Sequence, residues 1–584
     1  MTLRLAFGRP RGFRRIAIAA LVTLLPAACA SGRVDTGDGA AVAPTVTPGS
    51  TLVGNYLAGR HAQATRDTAA AADFLLSALE KAPGDRMLMQ RAMTALLLDS
   101  RIPEALPFAR QIAGTEENTL IARITLTADA IASGGFDDAE TELANVPDSA
   151  LGRVLVPLLS AWVMTGQGRT DDALSTLAPM AKNRHTKQIH DIHAALINDA
   201  AGRSEEAVAL FESALDAQTG KPMRLTPHAG EALERTGNGD KAAALYRAFI
   251  SENRDTRLFD SALARIDAGT KPPLDVASAA DGAAEALFDI ASALARQNVR
   301  ETSLIVARLG LHVRPNFPVL QILAGDVLES LERLDSANAI YATIDRGSAL
   351  SQRARLNIAV NLNQMNRVDE AVAELRALAK EQPDDAGPLI ELGNILRGHE
   401  RFAEAVGAYD GAVERVGKIE RRHWSLLYVR GIALERSKQW DQAEADFLKA
   451  LEFEPDQPYV LNYLGYSWVE LGKNLDEALN MIGKAVSLRP NDGYIVDSLG
   501  WVYYRLGRYE EGVRELERAV ELRPEDPVIN DHLGDALWKV DRRREARFQW
   551  RRALTLGPPD DLRARIEKKI ESGLVKEARA GADD

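Results

Sequence analysis

Residues 497–527 read DSLGWVYYRLGRYEEGVRELERAVELRPEDP, and their spacing decides the fold. Counted from Gly500, Gly512 falls at +12, Leu516 at +16, Ala519 at +19 and Pro524 at +24. Apolar residues at −4, −1, 0 and +3 share one stripe of a helix, and those at +12, +16 and +19 share one stripe of a second. Each unit is therefore a helical hairpin. Gly or Ala at 0 and +12 lets the two backbones approach closely, and Pro at +24 ends the second helix.

The same offsets from Gly534 give Ala546, Trp550, Ala553 and Pro558, a period of 34. Earlier anchors fall at Gly465, Gly431, Gly393, Ala359, Gly325 and Ala291, and before them at Gly230, Ala195, Ala161, Thr127, Met93 and Gly59. One extra residue follows Gly472, and four are added near residues 415–423. A lone hairpin cannot bury its apolar stripe, so neighbouring hairpins must stack and stability comes from nearest-neighbour interfaces. This pattern resembles the tetratricopeptide repeat family over about residues 50–560. The resemblance implies an all-α, right-handed α-solenoid of about 14 tetratricopeptide hairpins.

The register breaks at residues 257–285, where LFDSALARIDAG supplies a first helix but TKPPLDVASAADG puts a Pro-rich link in place of its partner. The expected organisation is an N-terminal arm over residues 51–256, the link over 257–285 and a C-terminal arm over 286–558. A capping helix and tail follow over 559–584, where DDLRARIEKKIESGL has an acidic start and a charged outer face.

The first 50 residues have a different character. Arg4, Arg9, Arg11, Arg14 and Arg15 precede the apolar run 16–25, as in an export signal. The only cysteine, Cys29, ends LLPAAC, which resembles a bacterial lipobox and implies a signal peptide over 1–28 and a lipidated Cys29. Pro26 stands where that motif usually has Leu, and ordinary cleavage after Ala30 is the alternative. With Ala30 after the cysteine, the resemblance implies an outer-membrane lipoprotein facing the periplasm; the alternative is a soluble periplasmic protein. Residues 29–50, small and rich in Pro and Gly, read as a flexible tether. The chain carries 71 basic and 83 acidic residues, net −12, which argues against broad contact with nucleic acid or anionic lipid. Membrane attachment is expected through the lipid alone.

In the first helix of each unit, offsets −6, −3, +1 and +4 form a second stripe about 130° from the packed one. In tetratricopeptide arrays this stripe lines the concave groove. Tyr428, Tyr459, Tyr466, Tyr494, Trp501, Tyr504 and Trp538 lie on it, and 14 of the 19 Trp and Tyr residues follow residue 420, so the aromatic surface is concentrated at one end. Large rings at low rotamer cost are common interface anchors. Glu435, Asn462, Asp497, Asp531 and Asp535 share the stripe and suit an extended peptide with apolar and basic side chains. The alternative is that these rings pack on one another and close the groove. Trp468, Tyr503 and Trp550 fall on packing positions instead. No unit pairs Lys at −3 with Asn at +1, so a carboxylate clamp is not expected.

Catalysis has little support. No phosphate-loop, zinc-protease or serine-hydrolase motif occurs, and residues 250–290 are too few for an independent catalytic domain. Of His185, His190 and His193 in RHTKQIHDIH, an i, i+3 pair can share a helix face, but two imidazoles without a defined third ligand make a poor zinc site, so no metal or other cofactor is expected. The acid pairs Asp137–Asp138 and Asp171–Asp172 read as helix N-caps. The expected function is a non-catalytic scaffold or adaptor of the cell envelope that binds a protein or peptide. Residues 425–555, with NYLGYSW, DSLGWVYYRLG and DHLGDALW, look like lipoprotein adaptors that present substrates to a periplasmic carboxyl-terminal processing protease. The alternative is an assembly component of a secretion, polysaccharide-export or outer-membrane biogenesis machine.

Overall fold

The computed structural model describes residues 47–115, 119–217, 220–253 and 258–574. Cys29 and the signal segment lie outside the described residues. Every regular element among those described is helical: thirty α-helices and one 3-10 turn, Arg421–His423. None is long and apolar enough to cross a membrane.

Two compact units divide between Ala354 and Arg355. The first contains the hairpins α1/α2 (Leu52–Ala64, Thr68–Lys81), α3/α4 (Arg86–Leu98, Ile102–Ala113) and α5/α6 (Leu120–Ala132, Phe136–Ala144). It continues with α7/α8 (Gly152–Gly166, Thr170–Ala181), α9/α10 (Lys187–Ala200, Ser204–Asp216) and α11/α12 (Leu225–Arg235, Gly239–Glu252). A single helix α13 (Asp260–Asp267) precedes α14/α15 (Ala279–Arg296, Arg300–Val313) and α16/α17 (Pro318–Ser330, Leu334–Tyr341). The division falls in the first turn of α18 (Ser351–Gln364), which pairs in sequence with α19 (Val368–Glu381). The second unit adds α20/α21 (Gly387–Gly398, Phe402–Val416), α22/α23 (Trp424–Arg436, Trp440–Phe453) and α24/α25 (Pro458–Leu471, Leu475–Leu488). It ends with α26/α27 (Gly493–Arg505, Tyr509–Leu522), α28/α29 (Pro527–Lys539, Arg543–Thr555) and α30 (Asp560–Ser572).

Fourteen hairpins thus stand where the 34-residue register puts them. The anchor position works through the residue at +16. A Cβ on Gly325 would lie 2.2 Å from the ring of Tyr341, one on Gly393 2.4 Å from Tyr409, and one on Gly534 2.4 Å from Trp550. Glycine here is the floor on which a large ring of the second helix lies, which is why Tyr341, Tyr409 and Trp550 are at most 1% exposed. The turn inside each hairpin is equally regular. The residue at +7 adopts a left-handed backbone in all fourteen units, with φ from 59° to 82° between Glu400 and Gly237. The next N–H reaches back to a carbonyl in the last turn, as in Arg101 N to Leu96 O at 2.9 Å and Arg401 N to Leu396 O at 2.9 Å. Eight of these positions carry side chains, including Arg66, Glu332 and Lys438, so helix packing rather than glycine preference holds the turn.

The region expected to link two arms behaves differently. Residues 270–278 carry no helix, but Ser278 and Asp281 form a capping box that starts α14 at Ala279, ahead of the expected end of the link at 285. The chain does not divide there. Helix α14 packs against α5, α7 and α9, and α15 against α3 and α5, so residues 279–354 belong with the N-terminal unit. Asp137, Asp138, Asp171 and Asp172 sit in the first turns of α6 and α8, two or three residues inside Gly135 and Arg169, so they favour the helix dipole and are not N-caps.

Candidate functional site

In the N-terminal unit, the same chain fills much of the concave stripe. Trp162, at +1 of its repeat, is fully buried beneath α14: a Cβ on Gly282 would lie 2.2 Å from its ring. Its Nε1 donates to His193 Nδ1 at 3.0 Å, and His193 Nε2 faces Asp289 of α14 at 3.3 Å. His185 is exposed beside Arg184, and His190 pairs with Asp191 at 2.8 Å, so the three histidines do not converge and His193 is not a surface residue. Helix α15 and the start of α17 are tied to α3 by side chains that cap its end. Arg308 Nη1 donates to Leu97 O at 3.2 Å, and Arg333 Nη1 to Leu98 O at 3.1 Å. These carbonyls have no partner within α3, and the helix dipole favours cations there.

What remains of that groove is a cavity of about 980 Å³. Ile189 and Ile192 of α9, Glu231 of α11 and Arg265 of α13 line one side, and Phe288 and Arg296 of α14 the other. Burial, with help from Asp275, pushes the Glu231 carboxyl up to about 7. At one end, Arg224 and Arg314 both pair with Asp275 (2.9 and 3.0 Å) and with Glu285, while their guanidiniums lie over the Phe317 ring. Although burial raises the Asp275 carboxyl, Arg224, His228 and Arg314 outweigh it and hold it well below the usual range. Among the described residues, His228, Asp275 and Glu285 form the one group with ligand atoms within 4.8 Å of one another. Two guanidiniums already neutralise both carboxylates, so the group is an ion-pair network and does not suit a metal.

The C-terminal unit carries the aromatic stripe, and the structure sorts its members into two sets. Asp531, Asp535 and Trp538 of α28 are engaged by the chain's own last helix. Lys569 Nζ donates to both oxygens of Asp531 (2.9 and 2.8 Å) and to Asp535 Oδ2 (2.7 Å), while Trp550 Nε1 donates to Asp535 Oδ1 (2.9 Å). Trp538 lies against Trp550, its ring close to Gly573 and under Arg543 and Arg547. Burial and the neighbouring Asp531 push the Asp535 carboxyl up to about 6, against the pull of Lys569. Asp497 is taken by His532, whose Nδ1 lies 3.0 and 3.1 Å from its oxygens. Burial lowers the His532 imidazole, but Asp497, Asp531 and Asp535 outweigh it and raise it above its ordinary value. Glu435 accepts from Tyr463 Oη at 3.1 Å. The acids expected to receive a partner's basic side chains are therefore paired within the chain.

The second set stays on the concave face of α22, α24 and α26. Trp501 stacks on His532 and Tyr504 with centroids 4.1 and 4.7 Å apart, and its Nε1 donates to Glu470 at 2.6 Å. Tyr494 is 52% exposed with Arg523 over its ring, and Arg489 covers Tyr459 in the same way one repeat earlier. Tyr428 packs edge-on against Tyr463, and burial pushes its hydroxyl up to about 12; burial raises the Tyr466 hydroxyl as well. Asn462, on the same helix as Tyr459 and Tyr466, has a buried Oδ1 with no hydrogen-bond partner among the described residues. Trp468 and Trp550 are core, 3% and 0% exposed, as their packing offsets require, whereas Tyr503 is half-buried.

Three participants were missed. Tyr463 and His532 lie at −2, on the flank between the packed and concave stripes, where neither periodicity marks them. Lys569 had a signal: continuing the period from Gly534 places it at +1 of a fifteenth first helix.

Tetratricopeptide repeat models match residues 194–257, 353–385, 390–458 and 496–526. No curated protein sequence matches the chain. Similar solved structures include a tetratricopeptide repeat protein from Parabacteroides merdae, at 15% identity over 43% of this chain and 96% of that one, TM-score 0.36. The Cut9–Hcn1 hetero-tetramer of the APC/C is similar at 12% identity over 90% of this chain and 97% of that one, TM-score 0.36. Yeast Tom70 is similar at 12% identity over 89% and 95%, TM-score 0.29. With repeat models matching in both units and one hairpin geometry repeated fourteen times, the chain belongs to the tetratricopeptide repeat family.

Proposed function

We propose that the chain is a non-catalytic scaffold whose C-terminal unit holds an extended peptide, or an extended segment of a partner protein, on the concave face of α22, α24 and α26. The observation that carries this reading is the unpartnered Asn462 Oδ1, flanked on its own helix by Tyr459 and Tyr466. A buried amide oxygen left unpaired costs about 1–3 kcal/mol, and because it is closed to solvent in the unbound chain, a peptide N–H would satisfy it only as the neighbouring side chains move aside. Around it, Tyr428, Tyr459, Tyr494, Trp501 and Tyr504 offer apolar faces, and the stacked Trp501 is already held by Glu470, so little rotamer entropy is lost on binding. Because the acids of the stripe are internally paired, the partner supplies apolar side chains and backbone rather than cations. In the envelope setting proposed from residues 1–30, lipid on Cys29 would hold the array at the outer membrane and present its cargo to a periplasmic processing protease.

The test is crosslinking in the native host with a photoreactive residue replacing the exposed Tyr494, in the wild-type background and with Asn462→Ala or Trp501→Ala/Tyr504→Ala. One partner lost in both variants, with circular dichroism unchanged, supports the reading. An identical partner list in all three would show that these rings serve packing only. Radiolabelled fatty acid appearing on the wild type but not on Cys29→Ala would support the anchor.

A further inference from the structure

We infer that the outer face of α29 is a docking strip for an acidic protein segment bearing an apolar side chain. The helix sequence, RREARFQWRRALT, buries Ala546, Trp550 and Ala553 against α28. At 100° per residue, Arg544, Phe548, Arg551 and Arg552 lie within an arc of about 100° on the opposite side. All four are exposed, and Phe548, at 64%, is the most exposed aromatic side chain among the described residues. Arg542 is clamped by Glu545 and Glu517, Arg543 by Asp541, and Arg547 by the Ile570 carbonyl and the Trp538 ring. The guanidiniums of Arg544, Arg551 and Arg552 have no such partner among the described residues. Three uncompensated cations around an exposed phenyl ring, on a chain of net charge −12, form a local reversal of sign.

Charge complementarity selects an anionic occupant, and the width of the strip selects its class. Helix α27, whose Glu517 pairs with Arg542 at the start of α29, exposes Glu510 and Glu521 against Arg514; α30 exposes Asp560, Asp561, Glu567 and Glu571 against Arg565 and Lys568, so both neighbouring helices expose more acid than base. A flat anionic bilayer or a nucleic-acid duplex laid on α29 would press its phosphates against these carboxylates, and like charges at that range repel. A single acidic segment touches only the strip. Its carboxylates would meet planar guanidiniums with two donors each, and its apolar side chain would cover Phe548. This surface is convex and separate from the concave face of α22, α24 and α26, so a partner held there and one held on α29 can be bound together.

The experiment uses the full chain and a short fluorescein-labelled peptide in which Glu and Asp flank a central Leu, read by fluorescence anisotropy at about 50 mM salt and again at about 300 mM. The expected result is binding that weakens with salt, falls about tenfold or more in Arg551→Glu/Arg552→Glu, and falls about tenfold in Phe548→Ser with the salt dependence kept. Trp501→Ala should bind as the wild type does. The inference is overturned if the peptide does not bind, or binds both strip variants equally. It is also overturned if vesicles of phosphatidylcholine with phosphatidylglycerol bind as well as the peptide and lose binding in the same variants. Sedimentation showing that the wild type self-associates through the strip, and the variants do not, would replace the acidic partner with a second copy of this chain.

Discussion

Replacing Lys569 with Met should loosen the C-terminal end of the second unit in a way that depends on pH. Among the described residues, the ammonium is the one cation that forms ion pairs with both Asp531 and Asp535, whose side chains are 6% and 8% exposed. Removing one partner of a buried ion pair typically costs about 3–5 kcal/mol, because the remaining charge is left uncompensated. Lys569 retains 18% exposure, so water softens the loss and about 3 kcal/mol is expected at pH 7.5. The pH dependence follows from Asp535. Its folded pKa, about 6, lies above that of the unfolded chain, about 3.9, so the folded state takes up the proton first and the group favours folding increasingly as pH falls through 6. Between pH 7 and pH 5 that linkage amounts to about 1 kcal/mol in the wild type. It is larger in Lys569→Met, where the main opposition to protonation is gone and only His532 and the Trp550 hydrogen bond remain. His532 adds in the same direction, since its raised pKa stabilises below about 6.5 and the benefit is lost as pH rises through the folded value. Thermal melts at pH 5 and pH 7.5, with amide exchange resolved by helix, provide the assay. The variant deficit should shrink by at least about 1 kcal/mol at pH 5. Faster exchange should be confined to α28–α30, because repeat arrays transmit stability only to neighbours. A deficit equal at both pH values, or exchange raised evenly across the second unit, would refute the assignment of Lys569 as the counter-ion.

Gly325→Ala should destabilise the first unit by about 2–4 kcal/mol, since the new methyl would sit 2.2 Å from the Tyr341 ring; a loss below about 1 kcal/mol in a denaturant titration would show that the ring can retreat. Glu285→Gln should cost about 3 kcal/mol by leaving Arg224 and Arg314 one carboxylate short, and Glu285→Gln combined with Arg314→Met should recover part of it in a double-mutant cycle. Arg308→Ala combined with Arg333→Ala should expose the end of α3, accelerating its amide exchange by about tenfold or more while α10 and α12 keep their protection. Uniform exchange across the unit would contradict the local role of these arginines.

Much of the fold was legible because one constraint recurs every 34 residues. Twelve of the fourteen units place Gly or Ala at the helix crossing, with an apolar residue facing it near +16, and those types can be counted without knowing their neighbours. The candidate site was legible only in part. Trp501 and Tyr504 lie on the concave stripe as their offsets require, and Lys569 falls at +1 of a fifteenth unit when the period is continued, yet a count of positions does not show that its ammonium claims Asp531 and Asp535, more than thirty residues upstream. The filling of the N-terminal groove by α14 and α15 was hidden for the same reason. Periodicity reports what a helix does within its own hairpin and to the adjacent one, whereas Gly282 against Trp162, or Arg308 at the end of α3, depends on how far the array turns before it meets itself.

That closure changes how the first unit must fold. Repeat arrays ordinarily need only local contacts and can grow from any point. Here Arg66 reaches the Leu331 carbonyl across 265 residues, Arg333 reaches Leu98 across 235, and Arg308 reaches Leu97 across 211. Contacts of that separation pay their loop-closure entropy late and slow the final step. As the chain emerges N-terminus first at about 5–20 residues per second, α3 and α5 would wait roughly 10–40 s for α15 to arrive. During that interval their open face would accept the equivalent helices of a second chain as readily as its own. Intermolecular exchange of α14–α15 is therefore the characteristic misassembly to look for when this protein is refolded at high concentration.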